Sequence, residues 1–441
     1  MMTRTTRCLA ASLLSFGLFA MGLPACGDDV EGDAPDAGED TGGRGGSSAG
    51  GKGGSGGAGG KGGSASTDED AGVGAELDSK AADLRVALNL LLGEHLIFAA
   101  KATGAALGGR TSEYEAYGEL LNKNGTDLGA AVRAAFNAEA ETEFNRIWSA
   151  HNGYFVDYTT GVASDDAAKK DKAVKDLTET YVPEFRDFLN GATGLPKDTL
   201  EELITEHVLQ TKAIVDAQAE EKWEDAYKAI KTAYDHMAML ADPLAAAIAE
   251  KQASKFPGDG ETKAVDFRVA LNRLLQEHLY VATFATAAGL GGRTDELSAA
   301  GDALNANGTA IGNAIGDLYN QEAETEFNRI WSAHNGYFVD YTTGVATDDS
   351  AKKDKAVKDL TETYVPEFAD FLNDATGLPE NTLSDLIEEH VVQTKAVVDA
   401  QGADSPDWGD VAEADRKAAQ HMQMLGDPLA TAIVGKVPGK F

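Results

Sequence analysis

EAETEFNRIWSAHNGYFVDYTTGVA, residues Glu139 to Ala163, returns without a change at Glu322 to Ala346, an offset of 183 residues. Within it Phe144, Trp148, His151, Phe155 and Tyr158 recur at spacings of 4, 3, 4 and 3. That rhythm puts them on one stripe of an α-helix, the stripe that faces a partner helix. A histidine therefore sits where a helical bundle expects a leucine, with aromatic residues above and below it. The stretch decides the fold class and opens the question of function.

Working outward, the repeat extends to a whole unit, about Ala81 to Lys255 and again Ala264 to Phe441. The copies are joined by Phe256-Pro257-Gly258-Asp259-Gly260, a run of chain breakers. A period near 183 is too long for a solenoid and implies tandem duplication of a domain. Neither copy contains a sustained period-2 run rich in β-branched residues, so both read as helix throughout. In the first copy helices are expected at about 80–107, from a Thr111/Ser112 cap to about 136, 138–163, 165–190 behind an Asp165 cap, 198–219 behind a Thr199/Glu202 capping box, and 221–250. Asn124-Gly125 reads as a weak point in the second helix, and Pro183 as a kink or break in the fourth. Short loops between long helices argue for antiparallel neighbours. The expected fold is all-α: two tandem up-down helical bundles of about six helices each, 79–256 and 264–441.

The N-terminus has a different character. Residues 1–25 carry Arg4 and Arg7, an apolar run from Cys8 to Met21, and then Leu23-Pro24-Ala25 ahead of Cys26. That is the layout of an export signal, and the run is too short for a spanning helix. Leu-Pro-Ala-Cys resembles the lipobox of bacterial lipoprotein precursors. The resemblance implies cleavage before Cys26 and lipidation of Cys26, an anchor in the cell envelope, with Gly27 at the next position favouring the outer membrane or cell surface. Acyl chains in that number suffice for stable attachment. Residues 26–78 then form a tether, with 14 glycines in the 24 residues from Thr41 to Ser64, a composition that cannot bury a core. With Cys8 and Cys26 the only cysteines, the two copies hold no thiol. Disulfides, zinc–thiolate sites and cysteine nucleophiles are excluded from them. Thirty-eight basic residues stand against 72 acidic ones, a net charge of −34 that argues against nucleic acid or anionic lipid headgroups as partners.

The chain has eight histidines, four to a copy at matching places: His95, His151, His207 and His236, then His278, His334, His390 and His421. Three pairs keep the 183 offset; the last is offset by 185. Around three of these pairs the neighbours have drifted while the imidazole has stayed. In an up-down bundle some 35 Å tall, at about 1.5 Å rise per residue, all four of a copy reach mid-height. Imidazoles converging in a core are costly unless each nitrogen finds a partner, and a transition-metal ion satisfies several at once. Glu94 and Glu206, with Glu277 and Glu389 in the second copy, directly precede histidines and are candidates for supporting acceptors. Met237 and Met239, matched by Met422 and Met424, would favour copper over zinc if they faced inward.

The Glu-His, Trp-x-x-His, Glu-His and His-Met patterns resemble a loose group of exported bacterial all-helical proteins, a likeness that implies the fold rather than an activity. The reading is a lipid-anchored, extracytoplasmic bundle protein binding copper or zinc, with capture or delivery fitting better than catalysis. A structural or adhesive surface lipoprotein, its histidines only packing the core, is the alternative from another class. Ferritin-like oxidases share the architecture but use Glu-x-x-His. Here Leu92, Trp148, Ile204 and Ala233 occupy the position three before each histidine. Non-covalent haem between two helices is the remaining reading.

Overall fold

The computed structural model describes residues 77–441; the expected export signal, Cys26 and most of the expected tether lie outside the described residues. Among those residues the fold is all-α, without strands. The first repeat comprises α1 (Lys80–Leu107), α2 (Thr111–Ala135), α3 (Ala138–Ala163), α4, α5 (Lys197–Ala219) and α6 (Trp223–Lys251). Helix α4 consists of Ala167–Lys175, a π-helical turn Asp176–Tyr181, and Val182–Thr193. The second repeat follows the same plan with α7 (Lys263–Leu290), α8 (Thr294–Leu318), α9 (Gln321–Ala346), α10, α11 (Glu380–Gln401) and α12 (Trp408–Lys436). Helix α10 is Ser350–Asp359, a π-turn Leu360–Tyr364, and Val365–Thr376.

Helix starts follow side chains that replace missing intrahelical acceptors. Ser79 accepts the Ala82 N–H ahead of α1, Asn137 the Ala140 N–H ahead of α3, and Asp166 the Lys169 N–H ahead of α4. Asp166 thus does the work expected of Asp165, which instead takes a left-handed φ of 51° in the preceding turn. Thr111 is the first residue of α2 rather than its cap, and Pro196 precedes α5 with no side-chain cap, so the Thr199/Glu202 box does not form. Gly194, at φ 83°, closes α4 in the left-handed conformation that glycine adopts without strain.

At Pro183 the chain stays helical, but the α-helical ladder of α4 is interrupted by the π-turn just before it. Proline offers no N–H to the helix ladder. One turn ahead of it the chain widens, and the Val182 N–H reaches back five residues to the Leu177 carbonyl. Pro366 has the same consequence in α10, where the Val365 N–H bonds the Leu360 carbonyl. Each π-turn delivers a buried tyrosine, Tyr181 or Tyr364, to the bundle interior.

The repeats are not beads on a string. One apolar cluster runs through both, taking in Leu96 and Tyr117 of the first and Leu279 and Tyr280 of the second. Helix α1, long and apolar enough by composition to cross a membrane, is buried in this core. It packs on α7, while α2 packs on α12 and α8 on α6, a reciprocal pattern of the kind a two-fold interface makes. The ion pairs obey the same reciprocity. Arg85 binds Asp242 at 2.9 Å and Asp266 at 2.6 Å, and its counterpart Arg268 binds Asp427 and Asp83, both at 2.9 Å.

Nearer the middle of this interface the symmetry has been abandoned. Lys101 Nζ lies 2.5 Å from Asp415, both side chains fully enclosed, with Thr283 and the Tyr117 hydroxyl completing the network. The counterparts of Lys101 and Asp415 are Phe284 and Ile230, which belong to the apolar core. An ion pair so enclosed has traded hydration for mutual attraction, so the pair adds little net stability while the loss of one partner is costly.

Candidate metal centre

Helices α1, α3 and α5 each bring one histidine to the same height in the first repeat. His95, His151 and His207 are all buried, and one ring nitrogen from each lies within 4.8 Å of the others. His278, His334 and His390 repeat the arrangement on α7, α9 and α11. A triangle with 4.8 Å sides has its centre about 2.8 Å from each corner, so contraction by less than about 1 Å reaches a metal–nitrogen distance of about 2.0–2.1 Å.

Five of the six rings keep a buried nitrogen that nothing in the protein uses. His95 Nδ1, His151 Nε2 and His207 Nδ1 have no hydrogen-bond partner, and neither do His278 Nδ1 or either nitrogen of His334. The contacts that do form are peripheral: His151 Nδ1 with Asn152 Oδ1 at 3.1 Å, and His390 Nδ1 with Thr394 Oγ1 at 3.4 Å. A buried polar atom left unpaired costs about 1–3 kcal/mol, and each repeat carries several at one point.

Electrostatics keeps the rings in the form a metal needs. Burial, reinforced by the neighbouring His207, pushes His95 down to about 3. Burial and His390 push His278 down to about 3, and burial with His421 pushes His390 down to about 4. His151, His207 and His334 are held well below the ordinary imidazole range, again chiefly by burial. All six are neutral at any physiological pH and free to donate a lone pair.

Aromatic rings fix the imidazoles in place. Trp148 packs on His95 with ring centres 4.6 Å apart, and Tyr181 on His151 at 4.5 Å. Trp331 and Tyr364 do the same to His278 and His334, at 4.6 and 4.5 Å. The tryptophan fits only because Gly125 faces it from α2: a Cβ there would lie 2.9 Å from Trp148 Cδ1, and at Gly308 the distance to Trp331 Cδ1 is also 2.9 Å. Asn124-Gly125 is therefore a packing device rather than a weak point, and Asn124 Nδ2 ties α2 to the Leu91 carbonyl and Glu94. Tyr181 and Tyr364 were illegible at the level of spacing, because the π-turn rotates them out of simple helical register.

Several expected participants stand elsewhere. His236 and His421 are not members of the triads; each donates from Nε2 to a backbone carbonyl, Leu203 at 2.9 Å and Leu386 at 3.0 Å. Glu94 does not support a histidine, because it crosses the repeat interface to Arg416 and Tyr280. Glu277, its counterpart, lies 3.5 Å from Lys231 and hydrogen-bonds Asn307. Glu206 and Glu389 are exposed on the outer face, bonded to Gln210 and Gln393. Met237 and Met422 are buried, whereas Met239 and Met424 are about 60% exposed. Among the described residues no carboxylate joins either triad.

Space adjoins both triads. In the first repeat a cavity of about 70 Å³ reaches His207, walled by Phe144, Trp148, Tyr181, Phe185 and Met237. In the second, an apolar cavity of about 200 Å³ touches all three histidines. A three-imidazole group with room beside it has the form of a metal site that keeps one coordination position open. No family model matches the chain, and no curated protein or solved structure is detectably similar to it.

Proposed function

We propose that each repeat binds one transition-metal ion, zinc or copper, through its three buried imidazoles, and that the protein captures or hands on such ions at the cell envelope. The observation that carries this reading is a set of three buried, neutral imidazoles with ring nitrogens within 4.8 Å of one another, present twice, five of the six rings keeping a nitrogen with no hydrogen-bond partner. Packing alone does not account for them, since histidines kept only to fill a core would have their nitrogens satisfied by neighbours. Neutral imidazole suits zinc and copper. The thioether of Met237 lines the same cavity as His207 and adds a soft donor that leans towards copper. The all-histidine set lacks the carboxylates that a di-iron oxidase needs. The envelope location rests on the lipobox-like Leu23-Pro24-Ala25-Cys26, and the glycine-rich tether gives the repeats reach from the surface.

Elemental analysis of the full chain purified without chelators should return two zinc or copper ions per chain. Adding either ion to stripped protein should raise the melting temperature, by the equivalent of about 2.7 kcal/mol at a free ion concentration one hundred times the dissociation constant. His151→Ala and His334→Ala should each reduce the count from two to one, and the double variant to none. An unmoved transition with every common divalent ion would leave the structural, adhesive reading in possession. Cys26→Ser should release the protein from membranes; retention would end the lipid anchor.

A further inference from the structure

We propose that the metal site of the second repeat, and not that of the first, takes an exogenous monocarboxylate with an apolar body, the carboxylate on the metal and the body in the adjoining cavity. This rests on the metal-binding reading above and goes beyond it by naming the ligand and the repeat.

The charge balance argues for an anion. Three neutral imidazoles around a divalent ion leave two positive charges in a core that supplies no carboxylate, and buried charge requires a partner. Besides the imidazoles the cavity offers an anion no charged group, and Asn335 is the one side-chain amide on its wall. Three of its four hydroxyls are already donating, Thr342 to the Phe338 carbonyl, Thr343 to the Val339 carbonyl and Thr286 to Gln401 Oε1, and the fourth, Thr394 Oγ1, lies 3.4 Å from His390 Nδ1. No lysine or arginine lines it. Apart from Asn335 the remainder of the wall is aliphatic and aromatic, so the rest of the ligand is apolar. At about 200 Å³ the space exceeds the roughly 150 Å³ of an engineered cavity that accepts benzene.

The two repeats differ at the mouth. Helices α3 and α9 have the same 25-residue sequence, yet Val339 is 64% exposed and Val156 only 36%. The difference therefore comes from what stands opposite. Leu297 and Gly289 line the cavity of the second repeat; their counterparts in the first are Tyr114 and Ala106. Tyr114 packs against the core, and burial raises its phenol above the usual range. The larger pair closes in the first repeat what the smaller pair leaves open in the second.

The test uses the full chain and benzoate, with acetate as the ligand that lacks an apolar body. Calorimetric titration with Zn²⁺ comes first; if no metal binds, it is the metal reading that fails, and the fault is located there. With two ions bound, one benzoate per chain is expected, at least about tenfold tighter than acetate because of the buried ring. Metal-stripped protein should not bind it. Leu297→Tyr should abolish benzoate binding while leaving two metal ions, and Tyr114→Leu should create a second benzoate site. Equal affinity for acetate and benzoate, binding without metal, or indifference to both substitutions would overturn the proposal. Because Tyr114→Leu predicts a gain, a fold damaged by Leu297→Tyr does not shelter it.

Discussion

The two histidine triads are nearly superposable while their surroundings have diverged. In the first repeat the ring centres are 5.5, 5.5 and 6.0 Å apart; in the second the same three separations are 5.6, 5.7 and 6.1 Å. Around them Leu90 became Arg273, Ile97 became Tyr280 and Tyr114 became Leu297. The polar centre has been held in place while the interface and the entrance were rebuilt. The difference teaches where the constraint lies, since apolar cores tolerate substitution if volume and pattern are kept.

The comparison can be pressed hardest with acid. For each of the six triad histidines the folded-state pKa lies below the unfolded value of 6.5, so the unfolded chain binds more protons at intermediate pH. Stability is then fully present above about pH 6.5 and declines as pH falls towards the folded values of about 3 to 4. Each histidine contributes up to about 1.4 kcal/mol per pH unit, and six of them make the loss several kcal/mol within one unit. Urea denaturation of metal-free protein from pH 7 to 5 measures this. His95→Leu and His278→Leu should flatten the slope by equal amounts; unequal effects would break the equivalence of the two centres.

Next in size is the place where symmetry was given up. Lys101→Met leaves Asp415 enclosed without its partner and should cost about 3–5 kcal/mol in denaturant titration. Adding Asp415→Ile, which restores the residue found at the counterpart Ile230, should recover most of it. Failure to recover would mean that the two sides of the interface are not interchangeable. Gly125→Ala and Gly308→Ala should each cost about 1–3 kcal/mol by forcing the tryptophan off its histidine, with weaker metal retention in the affected repeat alone. Smallest of all, Met239→Gln and Met424→Gln should stay within about 0.5 kcal/mol of the parent and leave metal content unchanged, because both side chains face water.

Much of the fold was legible from periodicity. The first repeat's helices begin and end within a few residues of the expected limits because long amphipathic runs separated by glycine, proline and acidic caps leave little choice. What escaped was three-dimensional. Spacing along one helix places His95, His151 and His207 inward, but His236 sits at the same height and turns to a carbonyl instead. Glu94 and Glu277 were read as local helpers of their neighbours; adjacent residues on a helix point about 100° apart, and both glutamates look across to the other repeat. The contact between the repeats left no trace in the pattern of either copy. Lys101 and Asp415 are 314 positions apart, and only folding brings them together.

That contact has a further consequence for how such a molecule can change. Arg85 and Arg268 each clasp an aspartate from the opposite copy, and the segment around Gly258 lies against the start of α1, with the Ser79 hydroxyl bonding the Asp259 carbonyl. Severed there, neither piece would be a finished object: each would show water a broad greasy flank studded with stranded ions, a surface that invites clumping. The fusion has thus become a ratchet, since every exchange like Phe284 for Lys101 makes the return to a free-standing single copy harder.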